Sequence, residues 1–373
     1  MTEVANNVRC AMGARANYAI VEGSRTELYY DHWGAAEISR DLLLDGPTVT
    51  LARIRSLEPQ DANDPSDWLD DVEGEGGLTL DLDQRRIIWF DSDGIKPRLA
   101  CCLFEKLWPG WMPVWSPYGM SGIARAAGVK LQFTEDTYGD TPDEDDDLEL
   151  GDQEYETAVS VRFKDGAVWS VAADALPEDI ALLSPKKVAK RVTKAMLRGN
   201  RPIWEDPAWQ ALGVEDPEQT WAWGDQGMFI DLPAKEVSWW STVSDLFPII
   251  AFATNWPRFT IRCLGDNYEW HEEAARTSGL QPPLRTILRQ EQDTIENKGE
   301  RPSSADPGAL MLNRMTQLGD DWEVNPWATQ HAPSTGPGAR DAILAELSRL
   351  LESPTPSVRP ARFIDLNGAI NQP

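Results

Sequence analysis

Histidine and cysteine are scarce in this chain of 373 residues. It has three histidines and four cysteines, and no histidine lies within four residues of another histidine or of a cysteine. This spacing excludes the local zinc signatures, which need paired cysteines or an HExxH helix. Four cysteines in a chain of this length do not form a disulfide framework. We therefore expect free, buried thiols at Cys101 and Cys102, and we predict neither a metal ion nor a cofactor.

Long apolar runs are also missing. No stretch approaches the roughly 18 apolar residues of a membrane span, and the first eleven residues lack the apolar centre of a secretory signal. We expect a soluble, cytoplasmic protein with no membrane partner.

The phosphate-binding pattern GxxxxGK followed by Ser or Thr is absent, as is the nucleophile elbow GxSxG. Their absence disfavours the common nucleotide and esterase mechanisms. The sequence does not decide whether translation starts at Met1 or Met12.

Acidic residues are in excess, and most of the excess is local. The chain has 61 acidic and 35 basic residues, a net charge of −26. Residues 61–83 and 134–156 contain nine and twelve acids with no base, which is 21 of the 26 excess charges. We expect two solvated loops there, and the charge argues against nucleic acid as a partner. Asp143, Asp145 and Asp147 match the spacing of a calcium loop, but position 148 is leucine where that loop needs glycine.

One segment has the opposite charge. Residues 184–201 hold seven bases and no acid, and the pattern predicts a basic helix over 184–198. Ser184 is suited to the N-cap, and apolar residues recur every four positions beneath the basic face. Two hypotheses remain open for this segment. It is either an anion-binding surface or a surface helix whose charge is screened by an acidic run, and both involve Lys186, Lys187, Lys190 and Arg191.

Strand and helix patterns predict an α+β fold, mainly antiparallel β-hairpins packed with helices. Residues 159–171 are typical of a hairpin, 97–108 of a helix, and the apolar stretch 238–247 of a helix. We predict two domains and a Pro/Gly-rich C-terminal tail. The domains are an α+β domain with both acidic loops and the basic helix, 1–201, and a tryptophan-rich α+β domain, 202–299. The tail, 300–373, carries one amphipathic helix at about 339–353. No internal repeat is detectable at a fixed period.

Two clusters are candidates for a functional site. Asp31 and His32 follow a predicted strand, at the kind of position where sites are commonly built, and are weak catalytic candidates. Successive strand residues face opposite sides, so Asp31 cannot be assumed to orient His32. The chain also has 17 tryptophans, which can form a core, anchor an interface or stack on sugars and bases. A core position is the first interpretation of each tryptophan, but their clustering predicts at least one exposed aromatic surface, for which Trp108, Trp111 and Trp115 are candidates.

These observations favour an acidic protein-binding protein, immunity-like, antitoxin-like or regulatory. Its acidic loops, including Asp143, Asp145, Asp146 and Asp147, would steer a basic protein partner, and its aromatic patches would anchor it. The alternative is a carboxylate-dependent enzyme with a tryptophan-lined pocket, acting on a carbohydrate-like substrate. The sequence does not establish an enzymatic activity, and its features favour a binding role over one. The partner, the substrate and the oligomeric state do not follow from these patterns.

Overall fold

A computed structural model describes residues 14–61, 68, 74–130, 157–173, 176–198, 204, 224–244, 247–298 and 337–372. It confirms the α+β class. The strands form two mixed sheets, one of eight strands and one of five. Antiparallel hairpins are present, but parallel pairs join them, so the pairing is less purely antiparallel than predicted.

The larger sheet has the strand order β13-β12-β6-β5-β4-β1-β2-β3. Its strands are β1 Ala16–Glu22, β2 Arg25–Asp31, β3 Glu58–Gln60, β4 Gly76–Asp81, β5 Arg86–Phe90, β6 Met112–Trp115, β12 Phe363–Ile364 and β13 Ile370–Asn371. The helices that follow these strands are α1 Ile38–Ile54, α2 Pro97–Leu107 and α3 Gly119–Ala127. The prediction of a helix over 97–108 is therefore confirmed, ending one residue earlier.

The smaller sheet has the order β11-β10-β9-β7-β8. Its strands are β7 Thr157–Arg162, β8 Val168–Ala173, β9 Gln226–Asp231, β10 Glu236–Ser241 and β11 Thr260–Cys263. The remaining helices are α4 Pro177–Leu182, α5 Pro185–Leu197, α6 Phe247–Asn255, α7 Tyr268–Ala275, α8 Leu284–Lys298 and α9 Pro337–Glu352. Among the residues described, no helix is both long and apolar enough to cross a membrane.

The two sheets contain the same five-stranded unit. In the first unit, β1 pairs antiparallel with β2 and parallel with β4, β4 pairs antiparallel with β5, and β5 runs parallel to β6. In the second unit, β7, β8, β9, β10 and β11 repeat each of these pairings in the same chain order. The fold is thus internally duplicated, although the sequence shows no repeat, because pairing direction is preserved while most side chains differ.

Two turns show how closely the units correspond. Asp81 accepts a hydrogen bond from the backbone N–H of Gln84, and Asp231 accepts one from Ala234, each at 2.9 Å. The residue before the next strand then takes a left-handed conformation, with φ of 49° at Arg85 and 55° at Lys235. A short carboxylate that caps its own turn produces this shape in both hairpins.

The first unit carries strands that the second lacks within the described residues. β3 extends its sheet beyond β2, and the C-terminal strands β12 and β13 extend it beyond β6. The tail predicted at 300–373 therefore contributes α9 and two strands, and Ala361, Phe363 and Ile364 are buried. The domain boundary predicted at 201/202 falls between β8 and β9, although β7 pairs directly with β9.

The stretch 238–247, predicted as an apolar helix, is divided in the structure. Residues up to Ser241 belong to β10, and α6 begins only at Phe247. The helix prediction is wrong here because burial on both sides of a central strand produces a continuous apolar run, which periodicity cannot distinguish from a buried helix.

An aromatic ring packs directly over a glycine at the same place in each unit. A Cβ added to Gly227 would lie 2.4 Å from Nε1 of Trp240, and one added to Gly77 would lie 2.9 Å from Phe90. Glycine is required at these two positions because the aromatic ring on the paired strand packs directly against the glycine backbone, where a Cβ would not fit.

We predict that Gly227→Ala lowers the free energy of unfolding by about 1–3 kcal/mol, because the added methyl group forces the buried Trp240 out of place. Gly77→Ala, with its longer contact, should cost less. Urea unfolding of both variants measures the order. Wild-type stability of Gly227→Ala would contradict the packing described here.

Candidate functional site

Asp31 and His32 lie at the end of β2, as predicted, but they take different partners. The carboxylate Oδ1 of Asp31 accepts a hydrogen bond from the backbone N–H of Trp33 at 2.9 Å. Nδ1 of His32 lies 3.1 Å from the hydroxyl of Tyr30, and the two rings meet edge to face. Asp31 thus stabilises the turn, and the described contact of His32 is with a tyrosine.

Tyr18 completes a polar cluster behind this turn. Its buried hydroxyl donates a hydrogen bond to the carbonyl of Gly34 at 3.0 Å. A Cβ at Gly34 would lie 2.5 Å from that hydroxyl and 2.6 Å from Oδ2 of Asp31, so only glycine fits between them. Burial, and next the charge of Asp31, raise the pKa of Tyr18 well above its ordinary value. The phenol therefore stays protonated and acts as a donor.

Arg53 supplies the cation of this cluster. Its Nε donates to Oδ2 of Asp45 at 2.8 Å, and both side chains are nearly buried. Burial alone would lower the pKa of Arg53, but Tyr18, Asp41 and Asp45 together raise it. The guanidinium keeps its charge because the surrounding groups compensate for lost hydration.

Asp91, directly after β5 and near this cluster, is a buried carboxyl group with a raised pKa. It accepts a hydrogen bond from the backbone N–H of Ser39, in the first turn of α1, at 2.7 Å. The backbone of Gly94 closes over it, since a Cβ there would lie 1.9 Å from Oδ2. Burial raises the pKa of Asp91 to about 7, against the opposing hydrogen bonds from Ser39. A carboxyl group that titrates near neutrality can give or take a proton.

The polar cluster belongs to the first unit alone. By strand register, Tyr18, Asp31 and the neighbouring Asp91 correspond in the second unit to Val159, Ala173 and Ser241. None of these three side chains carries a charge near neutral pH. The duplicated topology therefore does not itself require the cluster, which is a property of one unit.

A serine–histidine contact in the second unit has a structural role. Nδ1 of the fully buried His271 accepts a hydrogen bond from the indole N–H of Trp240 at 2.8 Å, and its Nε2 lies 2.7 Å from Oγ of Ser160. Since indole can only donate, the proton of the neutral imidazole is on Nε2 and is donated to Ser160. This tautomer cannot remove a proton from the serine, so the contact is not a nucleophile–base pair.

The described thiols are not activated. Burial raises the pKa of Cys263 to about 11 and raises those of Cys101 and Cys102 as well. A thiol with a raised pKa is a poor nucleophile and a poor metal ligand. Among the described residues, no group of three or more His, Cys, Asp or Glu side chains could hold a metal ion.

The aromatic patch expected around three tryptophans is not on the surface. Trp108 and Trp115 are buried, and the indole N–H of Trp108 donates to the carbonyl of Leu42 at 3.2 Å. Trp111 is half-buried and packs edge to face on Trp108. Trp108 and Trp115 therefore serve as core residues of the first unit, and that part of the prediction is corrected.

The prediction of a solvated loop over 61–83 is wrong for residues 76–81, which form the largely buried strand β4 inside the larger sheet. The other described acids of this run lie before or after the strand. Asp143, Asp145, Asp146 and Asp147, with the whole of 134–156, lie outside the described residues, as do most acids of 61–83. At the end of the first run, Asp83 accepts a hydrogen bond from the backbone N–H of Gly23 at 2.6 Å. This bond joins the turn between β4 and β5 to the turn between β1 and β2. Glu75 and Asp61 are exposed.

The basic helix is present as α5. Its N-cap Ser184 accepts the backbone N–H of Lys187 at 3.3 Å. Val188, Val192 and Ala195 are buried against the second sheet. Lys186, Lys187 and Lys190 are exposed and Arg191 is half-buried; whether an acidic run screens these four stays a prediction.

A polar junction between the units was not predicted from the sequence. Nζ of Lys96 lies 2.5 Å from Oδ1 of Asp225 and 3.1 Å from Oγ1 of Thr242, and the hydroxyl of Ser244 donates to the carbonyl of Ser116. All of these residues follow or precede strands at the same end of each sheet. No local pattern signals such pairs, because their members are more than a hundred residues apart.

Comparisons give no family assignment: the chain matches no protein-family model, no curated protein and no solved structure.

We predict that His271 makes the protein less stable as the pH falls below about 6.5. Burial lowers its pKa to about 3, so between these pH values the unfolded chain binds a proton that the folded chain does not. The free energy of unfolding should then fall with decreasing pH, by up to about 1.4 kcal/mol per unit from this group.

The matched control is His271→Gln, whose side chain can accept from Trp240 and donate to Ser160 without titrating. Urea unfolding at pH 7 and pH 5 should show a smaller loss of stability for the variant, by about 2 kcal/mol. Equal losses in both proteins would show that His271 does not contribute to the pH dependence.

Proposed function

We propose that this protein is a binding protein that engages a basic protein partner through its two acidic runs, 61–83 and 134–156. The supporting observation is where the chain enters the sheets. The second run ends directly before Thr157, the first residue of β7, which pairs with Gln226 at the start of β9. The first run passes through Glu75, directly before β4.

These entry points are at equivalent ends of the two sheets. Glu75 donates its backbone N–H to the carbonyl of Arg15 beside the start of β1. Asp225, beside the start of β9, binds Lys96 of the first unit. Glu75, directly before β4, and Thr157, directly after the second run, therefore lie at the ends of the sheets that meet at the junction, whereas Asp81 and Asp83 of the first run lie at the other end of β4.

Acidic charge concentrated in two short segments of the chain attracts a partner of opposite charge from a distance. Such a field raises the association rate more than it slows dissociation, because charges at the rim act before contact is made. Glu75 of the first run is exposed, and Asp93, outside both runs, adds a further exposed acid. A basic protein partner fits this distribution.

The side chains best suited to chemistry are engaged in structural contacts, which also supports a binding role. His271 is held between Trp240 and Ser160, the described thiols have raised pKa values, and Asp31 caps a turn. Of the predicted aromatic anchors, Trp111 alone retains partial exposure. It is the remaining candidate for an anchor of the complex.

The experiment begins by capturing partners on the full chain at low salt and identifying them by mass spectrometry. Association rates are then measured for wild type and for a variant with Asp143, Asp145, Asp146 and Asp147 changed to asparagine. We predict association slower by roughly 3- to 10-fold and a flatter salt dependence. The free energy of unfolding should be nearly unchanged.

A control variant with the same change in net charge tests whether location matters. It replaces four exposed acids of α7, α8 and α9 with amides: Glu273→Gln, Asp293→Asn, Asp341→Asn and Glu352→Gln. This control should keep most of the wild-type rate. Recovery of no basic partner, or equal rates for the two variants, would contradict the proposal. A carboxylate-dependent enzyme would then be the better account, with Asp91 and its pKa of about 7 as the first residue to test.

A further inference from the structure

The solvent-facing side of α5 carries a row of cations. Lys186, Lys190, Lys194 and Arg198 recur every fourth residue, the last at the C-cap, and all four are exposed. Successive members are about 6 Å apart along the helix axis. Within the part of the chain that the structure describes, none of these four forms an ion pair or a side-chain hydrogen bond. We call them the basic row.

An apolar side chain accompanies the basic row. Leu197 is 80% exposed, more than any other large hydrophobic residue described. It follows Lys190 by seven residues and Lys194 by three, which places all three on one face of the helix. A single exposed leucine is ordinary on a protein surface, so the row of cations carries the argument and Leu197 adds an apolar contact to it.

The fold does not require this row. In the first unit, α1 occupies the same place in chain order, between the second and third strands of the common topology. Its cations are used differently: Arg40 is buried and bonds to Glu291, and Arg53 bonds to Asp45. The basic row is therefore specific to the second unit.

The side chains of the basic row suit some classes of anionic partner better than others. Three of its four members are lysines, point charges without the planar fork that suits phosphate. No aromatic residue occurs in 185–197 on which a base could stack. A uniformly charged polyanion would also be repelled by the acidic runs of the same chain. A protein partner with an acidic segment avoids this, because its charge can be local.

We infer that the solvent-facing side of α5 is a docking surface for an acidic helical segment of a partner protein. A helix with carboxylates every fourth residue has the same charge spacing as the basic row, so several ion pairs can form at once. Leu197 supplies an apolar contact within the charged face. The proposed contact uses the cations of α5, so it does not depend on the function proposed for the acidic runs.

The test uses a fluorescent peptide of four Glu-Ala-Ala-Ala repeats and the full chain, with affinity read from fluorescence anisotropy in 50 mM and 300 mM NaCl. The row variant combines Lys186→Gln, Lys190→Gln, Lys194→Gln and Arg198→Gln. We expect it to bind the peptide at least about tenfold more weakly than wild type in the lower salt. A control variant removes four exposed cations elsewhere: Lys130→Gln, Lys164→Gln, Arg258→Gln and Arg289→Gln. This control should bind as wild type does.

Because the four side chains are exposed, the row variant is expected to fold. If it does not, Lys190→Gln with Lys194→Gln serves instead, with a loss of about threefold. Absence of salt-sensitive peptide binding, or equal losses in the row and control variants, would overturn the inference. So would tighter, row-dependent binding of a single-stranded oligonucleotide or of phosphatidylserine vesicles. Row-dependent self-association would identify a second copy as the occupant and would also overturn it.

Discussion

The buried ion pair between Arg98 and Asp266 joins the parts of this protein. Arg98, in the first turn of α2, donates from its backbone N–H and from Nε to Oδ2 of Asp266, at 3.1 and 3.0 Å, and also binds Glu269. The other oxygen, Oδ1, accepts the backbone N–H of Ala361 at 2.8 Å. One carboxylate thus connects the first unit, the second unit and the C-terminal segment. Burial raises the pKa of Asp266, and Arg98 and Ala361 oppose that rise.

The duplicated units have diverged in what their side chains can do. The first unit holds the polar cluster of Tyr18, Asp31 and Arg53, and its sheet is extended by strands from elsewhere in the chain. The second unit buries His271 among aromatic rings and presents the cations of α5 to solvent. Exposed cations on a helix are thus a feature of the second unit, whereas the buried polar cluster is a feature of the first.

Sequence reasoning succeeded where the signal was local. Ser184 with a four-residue apolar repeat predicted α5, and the Lys164-Asp165-Gly166 turn predicted the hairpin of β7 and β8, because caps and turns depend on adjacent residues. It did not detect the parallel pairing of β1 with β4, nor the contact between Arg98 and Asp266, which are 168 positions apart. It named Trp108 and Trp115 as candidates for an exposed aromatic surface because proximity to Pro109 and Gly110 indicates a loop and does not report burial.

The central structural claim is that Asp266 holds the two units and the C-terminal segment together, and urea unfolding of two single variants tests it most directly. Asp266→Asn removes the buried carboxylate partner of the Arg98 guanidinium, so it should lower the free energy of unfolding by about 3–5 kcal/mol. Glu269→Gln removes the other carboxylate of the same guanidinium, but its side chain is 47% exposed, and the loss should be no more than about 1 kcal/mol. Equal, small losses in both variants would show that Asp266 does not hold these three parts together.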